Sequence, residues 1–187
     1  MQTILVEDDY VSSAALFTAR KYALAGHFRR HTGESFVDQP KALAAELSKL
    51  PHNREMLAVA WLLRSHRDRY TDIDEIGLFF GKKVARTVDQ IARLNLPDQL
   101  SPDTLSAIQT REICKANAAE QTIALADLFV LGMAAEASEE ADETLLAHWL
   151  HNHLPLFNRA NRSLVQRTMG WLASLDVSAL SNPVARA

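Results

Sequence analysis

Apolar residues recur three and four positions apart along most of this chain, and convincing strand alternation is absent save for a short piece at Thr3 to Val6. That spacing gathers apolar side chains onto one face of a helix, so the pattern predicts an all-α protein. A first helix is expected from about Asp9 to His31, with Ala15, Ala19, Tyr22 and Leu24 facing inward. Thr32 to Ser35 reads as a loop. Pro40 fits the first turn of a second helix that reaches Leu50, because a missing N–H costs nothing there. Pro51-His52-Asn53 breaks the chain. A third helix then carries a wide apolar face made by Met56, Val59, Ala60, Leu62 and Leu63.

Polar residues punctuate the second half. Asp72 is placed to cap a short helix ending at Gly81, and Glu75, three residues on, completes a capping box. Val84, Val88 and Ile91 recur at helical spacing in the next helix, which Leu96-Pro97 stops. Ser101-Pro102 is a helix start, and from there to about Ala137 the chain reads as one long helix or two shorter ones. Ser138 opens an acidic first turn, Glu139 to Asp142, favourable to the helix dipole. Leu146, Trp149, Leu150 and Phe157 follow on one face. A last helix spans about Arg162 to Leu175, and the tail from Ser181 is expected to fray.

Composition agrees with helices and narrows the function. The chain has 187 residues, 48% hydrophobic, with only six glycines and six prolines. One domain over 1–187 is expected, large enough for a real core. A net charge of −3 offers no general basic field, so nucleic acid is not an expected partner. No apolar run approaches the length of a membrane span, and the acidic Glu7-Asp8-Asp9 cuts short any signal-peptide pattern. A single cysteine, Cys114, suits a reducing cytoplasm and is expected to pack as a small apolar residue.

Four stretches, in order, resemble the HD hydrolase domain of the RelA/SpoT family, in particular its small single-domain alarmone hydrolases. Tyr22-Ala23-Leu24-Ala25-Gly26-His27, with Arg29-Arg30 and Gly33-Glu34, is similar to the family's Phe-Ala-x-x-Ala-His and the basic stretch after it. Phe36-Val37-Asp38-Gln39-Pro40 stands where the family has Tyr-Ile-x-His-Pro. Ala60 to Ile76 resembles Ala-Leu-Leu-His-Asp-x-x-Glu-Asp and its downstream Thr-x-x-Asp/Glu-Ile, and runs on into Phe80-Gly81-Lys82-Lys83-Val84-Ala85. Leu125-Ala126-Asp127-Leu128 stands for Leu-Ala-Asp-Arg-Leu-His-Asn. The likeness covers roughly residues 13 to 135. It implies an HD-type helical bundle, to which the helices of 138–175 add only more helix.

The resemblance also implies a chemistry, and here the chain departs from it. Family members hold one divalent cation, typically manganese, on two His and two Asp, and use it to activate water against the 3′-pyrophosphate of guanosine tetra- and pentaphosphate. In this chain His27 matches the first His, across a two-residue deletion; a gapless alignment from Gly33 puts Ala25 there instead. Asp127 matches the distant Asp. Gln39 stands for a His, and Arg64-Ser65 replaces the His-Asp pair. Two relic ligands, His27 and Asp127, will not hold a hydrolytic cation. Arg64 turned inward opposes one, since like unit charges about 4 Å apart cost on the order of 4 kcal/mol at an effective dielectric of about 20, and a dication doubles that. The water-activating Glu-Asp pair becomes Asp68-Arg69, leaving Asp68 as the one candidate catalytic carboxylate.

Structural readings stand beside these. His27 on an apolar helix suits a buried, hydrogen-bonded histidine. Asp127 lies in an apolar run and needs a partner: a cap, an arginine or a metal. Arg64, Arg67 and Arg69 with Asp68 can be a solvated helix end. His148, His151 and His153 are too poorly served by carboxylates to make a zinc site. The expectation is a degenerate, catalytically impaired cytoplasmic protein with no cofactor. It would bind a guanine nucleotide or other phosphate ligand through Arg29, Arg30 and Arg64, or a protein partner, a second copy included. One alternative is an active manganese-dependent pyrophosphohydrolase with a site rebuilt from His27, His66, Asp68 and Asp127. The other is a helical interaction module.

Overall fold

The computed structural model describes residues 7–26, 37–93, 102–138 and 142–175, and every regular element in them is helical. The helices are α1 (Glu7–Ala25), α2 (Asp38–Ser48), α3 (Arg54–Arg67), α4 (Ile73–Phe80), α5 (Lys82–Ala92), α6 (Pro102–Lys115), α7 (Ala118–Ser138), α8 (Asp142–His153) and α9 (Arg162–Ser174). A 3-10 turn, Leu154–Leu156, follows α8 directly. The all-α expectation holds for the described residues.

Two helices organise the bundle. α3 packs against α1, α2 and α5 and touches α7. It buries Ala58, Val59, Ala60, Leu62, Leu63 and Ser65, a spread wider than a single face, as expected of a helix enclosed by neighbours. Each fully buried leucine among these contributes about 1.5–3 kcal/mol relative to exposure. α7 serves the second half, meeting α2, α5, α8 and α9, and its Ile123, Leu125 and Ala126 are wholly enclosed. Because α2 touches both centres, Leu43 and Leu47 join the two halves into one core.

The helix boundaries have local causes. Asn53 accepts the Met56 N–H at 2.9 Å and starts α3. Asn161 accepts from Ser163 and Leu164 and starts α9. Asp72 accepts the Glu75 N–H at 2.9 Å. Glu75 does not close the predicted capping box. Its carboxylate takes both oxygens to Lys21 Nζ of α1, each at 2.6 Å, because an ammonium is a stronger partner than one backbone amide. Gly81, at φ +89°, lets α4 turn straight into α5.

Several expectations need correction. α1 ends at Ala25, with Gly26 at φ +65°; the rest of the predicted first helix, Thr3 to Val6, Leu96-Pro97 and the tail lie outside the described residues. Leu24 points out, 86% exposed, and α1 docks instead through Ala14, Thr18 and Tyr22, spaced four apart. Polar bonds help seat it: Thr18 donates to the Trp61 carbonyl at 2.9 Å and Tyr10 to that of Phe80 at 2.6 Å. Of the two readings of the stretch from Pro102, the structure takes the second, two shorter helices. Asn117 accepts from Ala119 and Glu120, and Glu120 accepts the Asn117 N–H at 2.8 Å, so a capping box restarts the chain. Ser138 ends α7 rather than opening α8. Cys114 is exposed rather than packed.

α7 and α9 meet at backbone distance. A Cβ built on Gly132 would lie 2.2 Å from a ring carbon of Trp171, which is itself buried. Gly132→Ala should therefore destabilise the protein by about 1–3 kcal/mol, the range for overpacking a filled core. Urea unfolding of the two proteins measures it, and a change under about 0.5 kcal/mol would mean that the indole can retreat.

Candidate functional site

The chemistry-bearing residues gather where α3 ends. Its last turn carries Arg64, His66 and Arg67, cations placed where the helix dipole favours them. The chain then closes a Schellman turn: Arg69 N–H bonds to the His66 carbonyl at 3.0 Å and Tyr70 N–H to that of Ser65 at 2.9 Å. That motif wants a left-handed residue, and Arg69 supplies it at φ +62°, a conformation glycine adopts more cheaply. The turn brings the Tyr70 ring edge-on to Tyr22 of α1, centroids 5.1 Å apart. His66 Nδ1–H donates to the Thr71 carbonyl at 3.1 Å and fixes the chain beyond.

Two charge clusters result. In one, the Asp68 carboxylate accepts from Tyr22 Oη at 3.0 Å and from Arg64 Nε at 3.2 Å, both through Oδ2. In the other, Arg67 Nη1 pairs with Asp127 Oδ2 of α7, and Arg67 Nη2 reaches the Ile91 carbonyl of α5 at 3.4 Å. Arg67 and Asp127 are nearly enclosed, their side chains 11% and 12% exposed. Arg67 Nε is buried with no acceptor. Beside this guanidinium lies a partly open cavity of about 140 Å³ between α6, α7 and α8, walled by Ile113, Ala124, Leu128, Trp149 and Phe157.

The sequence-predicted residues fall unevenly. His27, Arg29 and Arg30 lie outside the described residues. Gln39 is half-buried in the first turn of α2 and makes no hydrogen bond among the described residues. Ser65 is fully buried, and its hydroxyl donates to the Leu62 carbonyl of its own helix at 2.9 Å. Arg64 is engaged by Asp68, and a different arginine meets Asp127. Of the partners open to Asp127, an arginine is the one present. Arg67, expected among the solvated charges, stands four residues after Leu63 and seven after Ala60, on the buried stripe of α3. Helical spacing alone could have singled it out.

Among the described residues, no three of His, Cys, Asp and Glu converge as a metal centre requires. His148 and His151 are exposed, and His153 stacks on the Trp149 ring at 4.3 Å, with Nδ1–H donating to the Trp149 carbonyl. No described helix is long and apolar enough to cross a membrane. Compared with known proteins, the sequence matches no family model and no curated protein.

The two ion pairs differ in what they contribute. Arg64 and Asp68 are a quarter and a fifth exposed, so solvent screens them. Arg67–Asp127 is desolvated, and removing one partner strands a buried charge. Asp127→Asn should cost about 3–5 kcal/mol in chemical denaturation. Replacing both partners together, as Arg67→Met with Asp127→Leu, should recover most of that loss. Equal losses in single and double variants would show that the two charges do not depend on each other.

The phenols carry a pH signature. Burial, followed by the negative charge of Asp68, pushes the Tyr22 hydroxyl well above its ordinary range. Tyr70 is raised by the same two causes, and Tyr10 by burial and then Glu55. A folded pKa above the unfolded value of about 10 favours the neutral phenol, so this stabilisation is whole below pH 10 and is lost as pH rises past it. Difference titration at 295 nm between the parent and Tyr22→Phe should show no phenolate step near pH 10 while the fold persists. A normal step there would contradict the buried Tyr22–Asp68 bond.

Proposed function

We propose that this chain is a degenerate protein of HD type, RelA/SpoT-like in its motifs, that binds a phosphate-bearing ligand without hydrolysing it. One observation carries the reading: the carboxylate of Asp127, which the resemblance makes a surviving metal ligand, is taken by the guanidinium of Arg67. Arginine stays charged at any working pH. A dication approaching Asp127 would meet that charge within hydrogen-bond reach of its ligand, at the repulsion already set out. The remaining groups do not fit a metal either. The Ser65 hydroxyl is spent on its own helix, and the Asp68 carboxylate is held between a phenol and a guanidinium. Neither of these two carboxylates, Asp127 nor Asp68, is left free to activate water.

The ligand reading rests on Arg64. Its side chain is 27% exposed, and only its Nε is bonded, to Asp68. The terminal nitrogens have no acceptor among the described residues and retain the fork that suits phosphate oxygens. Guanine nucleotides are the phosphate ligands the resemblance suggests, with Arg29 and Arg30 as further contacts.

Tag-free protein should retain no stoichiometric manganese after equilibration and washing, and should release no pyrophosphate from guanosine tetraphosphate. Calorimetric titration with that nucleotide in EDTA should give saturable heat, weakened roughly 10- to 100-fold by Arg64→Ala, as expected for one charge-assisted contact. One bound manganese together with pyrophosphate release would overturn the reading. Absence of heat at millimolar nucleotide would remove its phosphate part.

A further inference from the structure

We propose that the outer face of α1, with the groove it shares with α4, docks a second copy of this chain, the two α1 helices lying antiparallel across a two-fold axis. α1 is seated inward by Ala14, Thr18 and Tyr22. On its other side Leu16 and Leu24 are 62% and 86% exposed, and across the groove Phe79 of α4 is 61% exposed. Large apolar side chains left open around one groove mark an interaction surface. The floor of that groove is firm. Phe17 packs against Phe79 and edge-on to Phe80, with centroids 5.6 and 5.3 Å away.

Charge identifies the occupant. Two cations line the groove, Arg20 and Lys21. Lys21 is neutralised by Glu75. Arg20 is exposed and has no hydrogen bond or ion pair among the described residues. Acids stand at the opposite end of the same helix, with Glu7, Asp8 and Asp9 in its first turn. Asp9, Ser13, Leu16 and Arg20 follow at intervals of four, three and four, which keeps these positions on one stripe of the helix. That series of intervals is the same in reverse. Laid antiparallel on a second copy, the stripe sets Asp9 opposite Arg20 and Ser13 opposite Leu16, twice over. Each acid meets a base and each large side chain a small one, the self-complementarity a two-fold interface requires. The two arginines then stand about 16 Å apart along the axis, beyond the screening length of about 10 Å. Size sets the strength. The 19 residues of α1 span about 28 Å and two helices side by side are about 20 Å across, a face of about 560 Å². A standard interface takes about 800 Å² per partner, so this dimer is weak, with a Kd on the order of 10–100 µM. The surface is independent of any question of hydrolysis.

Sedimentation velocity of the whole chain from about 5 to about 500 µM, a span that brackets this range, should show a monomer–dimer equilibrium. It should weaken as sodium chloride rises from about 0.05 to about 0.5 M. Arg20→Glu should raise the Kd roughly tenfold or more and Asp9→Lys about as much, while the two together return it to within about threefold of the parent. Leu16→Glu, on the exposed face, should abolish the dimer. Circular dichroism checks that each variant is folded, and if either charge variant is not, Leu16→Glu and the salt series decide. A monomer throughout would give the patch to some other partner and overturn the proposal. So would a dimer indifferent to Arg20→Glu and Leu16→Glu, which would be joined through another face, or a double charge swap no tighter than its single variants.

Discussion

The Arg67–Asp127 pair is the constraint on which the rest of this molecule depends. It joins α3 to α7, the two helices around which the halves of the bundle are arranged. An ion pair so enclosed adds little net stability over well-packed hydrocarbon, because both charges lose their water. What it supplies here is a register. Each charge is tolerable only where the other sits, so the end of α3 and the middle of α7 must align, and the cavity between α6, α7 and α8 takes its charged wall from that alignment. The pair also decides the chemistry. A carboxylate bound to a permanent cation is neither a base nor an open ligand.

Most of the fold was legible in the sequence because helices announce themselves by spacing and by caps. α3, α4, α5 and α9 lie where periodicity, the Pro51-His52-Asn53 break, Asp72 and Gly81 put them. Between α6 and α7 the spacing leaves one helix or two open, and the capping box of Asn117 and Glu120 decides for two. On α1 the sequence reading errs. Leu24 was assigned inward because it is a leucine, whereas α1 is seated by Ala14, Thr18 and Tyr22, two of which carry a hydroxyl. Side-chain identity and helical phase disagree on α1, and phase prevails.

The site was legible only in part. That Asp127 needs a partner follows from its apolar surroundings, and its pairing with an arginine was among the possibilities. Which arginine could not be read from motif alignment, because that alignment drew attention to Arg64, the residue standing at a lost ligand. Arg64 lies one turn earlier and meets Asp68 on its own helix, a contact that any i, i+4 pair can make. Arg67 crosses to another helix, and a contact spanning 60 positions is set by the packing of α3 on α7 rather than by local sequence.

The close seat of Trp171 on Gly132 has a mechanical meaning. With an indole pressed onto bare backbone, α9 has a single berth along α7. Along that face of α7 the next side chain toward the start of the helix is Phe129, already edge-on to the indole with centroids 5.9 Å apart, so a slide that way drives ring into ring. The seat of α9 is thus keyed by one ring on one glycine, which makes that helix a latch and not a spring.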